Sequence, residues 1–220
     1  MDFRYLGLSG LKVSSYCLGT MTYGETTEEN DAHLQISEAF SSGINFIDTA
    51  EMYPTCPIRK ETSGETEKII GNWINNNKDK RKDIILATKV VGNGFKYIRN
   101  GGPITKETIK VALHGSLKRL KTDYIDLYQL HWPNRGSYHF RSYWNYKPEK
   151  QDSKNITDEF LDIINTLNDL KKEGLIRAIG VSNETCWGVM KLNEIIKDIE
   201  NLCIASIQNE YSLMCRLFDN

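Results

Sequence analysis

An alternation of two periods limits what this chain can fold into. Short runs rich in β-branched and aromatic residues, at 16–20, 45–50, 83–90, 124–132, 176–183 and 205–212, are separated by longer stretches whose apolar residues recur every three or four positions. Ile69, Ile70, Trp73 and Ile74 form one such stripe, and Phe160, Ile163, Ile164 and Leu167 another. Strand-like runs alternating with amphipathic helical stretches are the pattern of βα units around a parallel sheet, because parallel neighbours need a long crossover and a helix supplies it. Six such units are predicted, the last represented by its strand alone.

Start and stop signals fit that reading. Thr26 followed by Glu29 has the form of a capping box, Thr105 is a candidate N-cap, and Gly43 and Gly174 stand where C-terminal glycines belong. Ahead of the first unit, residues 3–6 and 11–13 flank Gly7-Leu8-Ser9-Gly10, a hairpin able to plug one end of a barrel. Two connections, 91–104 and 133–155, are long for a compact domain, and the polar run 75–82 reads as a solvated helix end.

With 220 residues and 40% apolar content the chain can bury a large core, and residues 1–220 are read as a single domain. A net charge of −1, with Lys and Arg scattered rather than striped, gives no footprint for nucleic acid or an anionic membrane. The N-terminus lacks the order of a signal peptide and no apolar run is long enough to span a bilayer, so a cytoplasmic protein is expected. Five widely spaced cysteines fit neither a disulfide framework nor a zinc site, and are expected to be reduced and mostly buried. No metal is expected, since His33, His114, His131 and His139 match no compact ligand spacing.

In a parallel αβ barrel the reacting groups project from the C-terminal ends of the strands. The second run ends in Asp48, with Tyr53 five residues on; the third ends in Lys89, the fourth in His131, the fifth in Ser182-Asn183, and the sixth carries Gln208. Singly, each has an ordinary explanation as a turn cap, a solvated lysine or a satisfied core histidine. Their coincidence at one rim does not. A tyrosine hydroxyl titrates near pH 10, about three units too high for efficient proton exchange at neutrality, and the ammonium of Lys89 would lower it. Asp48 would pair with Lys89, and His131 could position a substrate oxygen or relay a proton, depending on its tautomer. Such a set polarises a carbonyl and protonates the alkoxide. It is no acyl-transfer triad, because no Gly-x-Ser-x-Gly elbow is present, and it still needs a source of hydride.

The segment Gly43-Ile44-Asn45-Phe46-Ile47-Asp48-Thr49-Ala50-Glu51-Met52-Tyr53, followed by Ser63-Gly64-Glu65-Thr66-Glu67, closely resembles the aldo-keto reductases. So do Leu130-His131-Trp132-Pro133, Ile179-Gly180-Val181-Ser182-Asn183 and Ile207-Gln208-Asn209-Glu210-Tyr211-Ser212, in family order over essentially the whole chain. Pro57-Ile58-Arg59-Lys60-Glu61-Thr62 and the 133–155 loop look most like the bacterial Tas-type branch. The resemblance implies an α/β fold of the (β/α)8 TIM-barrel type, here incomplete, with about six of eight units and an N-terminal β-hairpin. It implies an oxidoreductase that moves hydride between NADP(H), with NAD(H) not excluded, and an aldehyde or ketone, using the tetrad Asp48, Tyr53, Lys89 and His131 with Tyr53 as proton donor. By the same resemblance Ser182, Asn183 and Gln208 meet the nicotinamide carboxamide, Gly19, Thr20 and Met21 pass beneath the cofactor, and Asp48 adjoins it.

The family barrel has two further strands. With them, by resemblance, go the aromatic residue that stacks on the nicotinamide and the residues that hold the 2′-phosphate. A chain of six units leaves open sheet edges that favour self-association, and is expected to be poorly soluble or inactive as a piece of a longer enzyme. The 133–155 loop, with Tyr138, Phe140, Tyr143, Trp144 and Tyr146, is read either as a lid over an apolar or aryl carbonyl substrate or as a surface excursion packed on itself. Two rivals remain. A doubly wound dinucleotide fold needs a Gly-x-Gly-x-x-Gly turn, which Gly92, Gly94, Gly101 and Gly102 do not form. A non-catalytic regulatory protein, similar to the aldo-keto-reductase-like β subunits of potassium channels, would keep the fold without the chemistry.

Overall fold

Residues 3–14 fold back on themselves. In the computed structural model, which describes residues 1–140 and 142–217, β1 (Phe3–Tyr5) and β2 (Lys12–Ser14) pair antiparallel with Phe3 opposite Ser14. The last residues of the sequence, 218–220, lie outside the described residues. Leu11 and Val13 of this hairpin are buried against Ile85, Ala87, Leu127, Ala178 and Ala205, so the hairpin does plug the interior of the larger sheet.

That sheet consists of β3 (Cys17–Gly19), β4 (Phe46–Asp48), β5 (Ile85–Val90), β6 (Ile125–Leu130), β7 (Ile176–Ser182) and β8 (Ile204–Gln208). The strands pair in sequence order and all in parallel. Five of the six predicted runs contain their strand whole, and the sixth, 205–212, overlaps β8 but begins one residue after its start and runs four residues past its end. β3 and β8 are the two edges and do not pair with each other, so the sheet is an unclosed arc of a (β/α)8-type barrel.

The crossovers are α1 (Glu29–Ser41), α2 (Glu65–Asn76), α3 (Lys106–Leu120), α4 (Ser153–Lys172) and, between β7 and β8, α5 (Cys186–Ile196). Their apolar stripes share one core with the outward-facing strand residues Ile47, Leu86, Tyr128 and Ile179. Each fully buried aliphatic or aromatic side chain in that layer contributes about 1.5–3 kcal/mol relative to exposure. Thr105 caps α3 in a box with Thr108, and Gly43 and Gly174 take φ of +87° and +78° just past α1 and α4.

Three expectations are corrected. Thr26 does not cap α1: the helix starts after Glu28, without a side-chain cap, because residues 22–27 close their own turn through the Gly24 N–H to Thr27 carbonyl bond and the Thr22–Thr27 hydroxyl pair. None of the five cysteines is buried, although all are free; Cys17 sits on the edge strand, and Cys56 and Cys186 lie on the surface. Residues 75–82 are not simply solvated, since Arg81 turns inward to bond Asp126 at 2.9 Å and the carbonyl oxygens of Tyr124 and Ile84.

Candidate active site

Every side chain singled out at a strand end reaches the same rim. Asp48 is the last residue of β4, Lys89 the penultimate of β5, His131 follows β6, Ser182 ends β7, and Gln208 ends β8. Tyr53 stands on the β4–α2 connection, its carbonyl accepting the Gly64 N–H at 2.9 Å and its own N–H bonded to the Ala50 carbonyl at 3.1 Å. The connection is tied to the loop after β5 by Glu51. Its carboxylate accepts the Val91 N–H at 2.6 Å and both terminal nitrogens of Arg99.

Lys89 is 1% exposed, and its ammonium donates at 2.7 Å both to Asp48 Oδ2 and to the Thr49 carbonyl. The same Nζ lies 5.0 Å from the centre of the Tyr53 ring, and the His131 ring meets Tyr53 edge-on with centroids 5.7 Å apart. An unpaired ammonium could not stay charged at that depth. Burial does press its pKa downward, but Asp48 and Tyr53 outweigh it, and Lys89 ends above its ordinary value.

Tyr53 responds in the opposite sense to a free phenol beside a cation. Burial raises its pKa, Lys89 lowers it and Asp48 raises it, and the balance stays above the ordinary 10. The ammonium therefore acts in the expected direction without overcoming desolvation, so the resting phenol is a protonated donor. His131 is held well below its ordinary 6.5 by burial and then by the charge of Lys89. It is a neutral imidazole, which leaves it hydrogen bonding rather than delivery of a proton from an imidazolium. Its Nδ1 is buried and takes no partner among the described residues.

The polar groups beside this cluster form a continuous network. Gln208 Nε2 donates to Asp48 Oδ2 at 2.9 Å, Ser182 Oγ donates to the Gln208 carbonyl, and Asn183 Nδ2 donates to the His131 carbonyl and to Ser182 Oγ. Asn183 adopts φ +53°, a left-handed conformation that asparagine tolerates better than most residues. Thr20 Oγ1 donates to the Asp48 carbonyl, Gly19 pairs in register with Asp48, and the Met21 carbonyl accepts the Thr55 N–H. A hydroxyl and two amides on the rim suit both ends of a carboxamide. Asn183 keeps Oδ1 without a protein partner among the described residues, whereas Gln208 is bonded at both amide ends.

The second bond to Gln208 comes from a residue that sequence reasoning missed. Gln129, 2% exposed on β6, donates to Asp48 Oδ1 at 3.2 Å and to Gln208 Oε1 at 3.1 Å. Gly180 makes room for it, since a Cβ there would sit 3.1 Å from Gln129 Cγ and closer still to Ser206 Oγ. The signal was available: counting back by two from His131 puts Gln129 on the same face, and the register sets it opposite Lys89. Glu51 with Arg99, and Glu184 with Arg135, were also missed. Partners that far apart in sequence leave no local pattern.

A cavity of about 570 Å³ opens beside Tyr53 and His131, walled by Met21, Met52, Ile58, Phe95, Trp132 and Phe140. Trp132 meets Phe95 and Phe140 edge-on at 6.1 and 5.8 Å. The 133–155 loop contributes Gly136, Ser137, His139, Phe140 and Ser142 to this lining, so that part of it is no self-packed surface excursion. Among the described residues, no helix is long and apolar enough to cross a membrane, and no three His, Cys, Asp or Glu side chains gather as a metal site.

A profile of the aldo/keto reductase family matches residues 16–220. The chain is 42% identical to the protein tas of Escherichia coli (strain K12) over 222 residues, which is 100% of this chain and 62% of that protein. It is 34% identical to the uncharacterized oxidoreductase YrpG of Bacillus subtilis (strain 168), covering 98% of this chain and 60% of YrpG. The crystal structure of a thermostable aldo-keto reductase in complex with the inhibitor epalrestat matches with a TM-score of 0.66 at 27% identity, over 96% of this chain and 63% of that one. The chain thus spans under two thirds of the length of these relatives.

Proposed function

Because the chain belongs to the aldo/keto reductase family, we propose that it carries the acid–base centre of a nicotinamide-dependent carbonyl reductase, acting on an aldehyde or ketone with Tyr53 as proton donor. The observation that carries this reading is the buried Lys89–Asp48 pair beside the Tyr53 ring, which itself lines an apolar cavity. The hydride, which no side chain can furnish, would come from a reduced dinucleotide held against Ser182, Asn183 and Gln208; NADP(H) follows family precedent and NAD(H) fits the same residues.

The chain's own part follows from its electrostatics. As the carbonyl carbon gains hydride, its oxygen gains charge, and the protonated phenol of Tyr53 hands over its proton to give the alcohol. The ammonium of Lys89 stabilises the phenolate left behind, and Asp48 keeps that ammonium in place. Neutral His131 offers the oxygen a hydrogen bond and fixes its direction. The apolar walls exclude water and so strengthen each of these interactions. As a cytoplasmic protein acting on small carbonyl compounds, the chain would meet other copies of itself along the free edges of β3 and β8.

Tyr53→Phe keeps the ring and deletes the proton. Made in a full-length version of the enzyme, the substitution is expected to lower consumption of NADPH with an aryl ketone about 10²–10⁴-fold while the far-ultraviolet circular dichroism stays unchanged. Equal rates for the two proteins would remove Tyr53 from the chemistry and leave the non-catalytic, cofactor-binding reading.

A further inference from the structure

The loop that walls the cavity is fastened at its neck by a group of residues that the acid–base chemistry does not use. Arg135 is 5% exposed along its side chain, and its guanidinium engages both carboxylate oxygens of Glu184, with Nη1 to Oε2 at 3.0 Å. Nη2 also donates to Thr185 Oγ1 at 3.0 Å, the same hydroxyl that caps α5 by accepting the Gly188 N–H. The planar cation lies 5.3 Å from the Phe160 ring centre and 5.2 Å from that of Trp187.

Around it, the rest of the neck is pinned. Asn134 exchanges two hydrogen bonds with the backbone of Ile104, at 2.7 and 2.8 Å. From the far end of the loop, Gln151 Nε2 reaches back to the Arg135 carbonyl at 3.1 Å. His139, within the cavity lining, contacts the Glu184 carbonyl through Nε2 at 3.3 Å. Glu184 itself follows Asn183 directly, so one residue receives the loop on one side and continues the proposed carboxamide-binding turn on the other.

We propose that Arg135 is a positioning residue for the substrate: through Glu184 it latches the loop over the cavity and registers that wall against the Ser182–Asn183 turn. The proposal rests on the carbonyl-reductase reading and adds to it which residue holds the substrate wall. Three chemistries are combined in the latch, a desolvated bidentate ion pair, a hydroxyl acceptor and two aromatic faces, and only a guanidinium satisfies all of them. Lysine cannot. Gly188 is part of the same device, since a Cβ at that position would overlap the Glu184 carboxylate and crowd Arg135 Nη2.

Arg135→Met and Gly188→Ala therefore break the latch from two different elements. In the full chain without added cofactor, hydrogen–deuterium exchange at amides 136–140 is expected to speed up about tenfold or more in both variants, with α3 unchanged. Affinity for the neutral ketone methyl 4-acetylbenzoate, read by quenching of tryptophan emission, is expected to fall about tenfold in both. Arg135→Lys should behave like Arg135→Met. The proposal is overturned if loop exchange and ketone affinity are unaltered in either variant, if Arg135→Lys restores them, or if the unaltered chain does not bind the ketone. The reductase reading fails separately, on the Tyr53→Phe comparison, which reads NADPH turnover rather than loop exchange or ketone affinity.

Discussion

Lys89 holds a charge where a lone charge could not remain, and its partners show how the cost is divided. Asp48 neutralises it, the Thr49 carbonyl takes a second ammonium proton, and Gln129 and Gln208 satisfy the carboxylate from the other side. Removing one member strands the others in a water-poor interior. Lys89→Met is expected to lower unfolding free energy by about 3 kcal/mol, measured by urea denaturation, because Asp48 loses its counter-charge while remaining buried. Pairing it with Asp48→Asn should recover part of that loss, since two neutral groups leave no orphaned charge. A double variant as unstable as the sum of its singles would show that the pair is not coupled. Residue by residue, the members of this cluster that end strands could be read from sequence, because strand ends are marked by the change from apolar to polar. Gln129 lies one position inside β6 and announces itself only through a period of two. Nor does sequence predict that burial outweighs Lys89 at Tyr53, because that depends on how deeply the ring is covered.

The elements themselves were legible wherever one face is apolar. The stripes of α2 and α4 fall on buried positions, and β5 and β6 contain no exposed side chain. What could not be read is how closely two elements approach. Gly71 sits in mid-helix, where propensity alone says that alanine would be better by roughly 1 kcal/mol. In the packed molecule its missing Cβ is the contact point of α2 with the end of α3: a methyl group there would lie on the Arg119 carbonyl oxygen and against Leu120. Gly71→Ala is therefore expected to destabilise by about 1–3 kcal/mol, the usual range for overpacking, with a lowered urea midpoint and an unchanged slope. A stabilised variant would mean that the two helices can separate without loss. The start of α1 departs from the sequence expectation for a different reason: the Thr26–Glu29 spacing fits a capping box, but local hydrogen bonds of Thr22 and Gly24 to Thr27 give the preceding residues another turn to make.

For the whole molecule, two neutral histidines set a pH limit on stability. His131 is pushed well below 6.5 by burial and by Lys89, and His139 is lowered chiefly by burial despite the opposing pull of Glu184. Their pKa values are thus lower in the folded state than in the unfolded chain. Between the folded values and about 6.5 the unfolded chain binds more protons, so acidification favours unfolding. The contribution is fully present above about pH 6.5 and is lost as pH falls through the folded values. Most carboxylates titrate near pH 4, which leaves a window between about pH 6.5 and pH 5 where the histidines dominate the slope. Urea midpoints should fall across that window, and His131→Asn combined with His139→Asn should flatten the fall even if it lowers the plateau. His131 lies beside the proposed proton donor and His139 in the latched loop, so the folded chain resists charging the walls of the cavity and gives up stability on acidification instead. A slope that survives in the double variant would place its origin in carboxylates elsewhere, and the two imidazoles would then be free to protonate in the folded molecule.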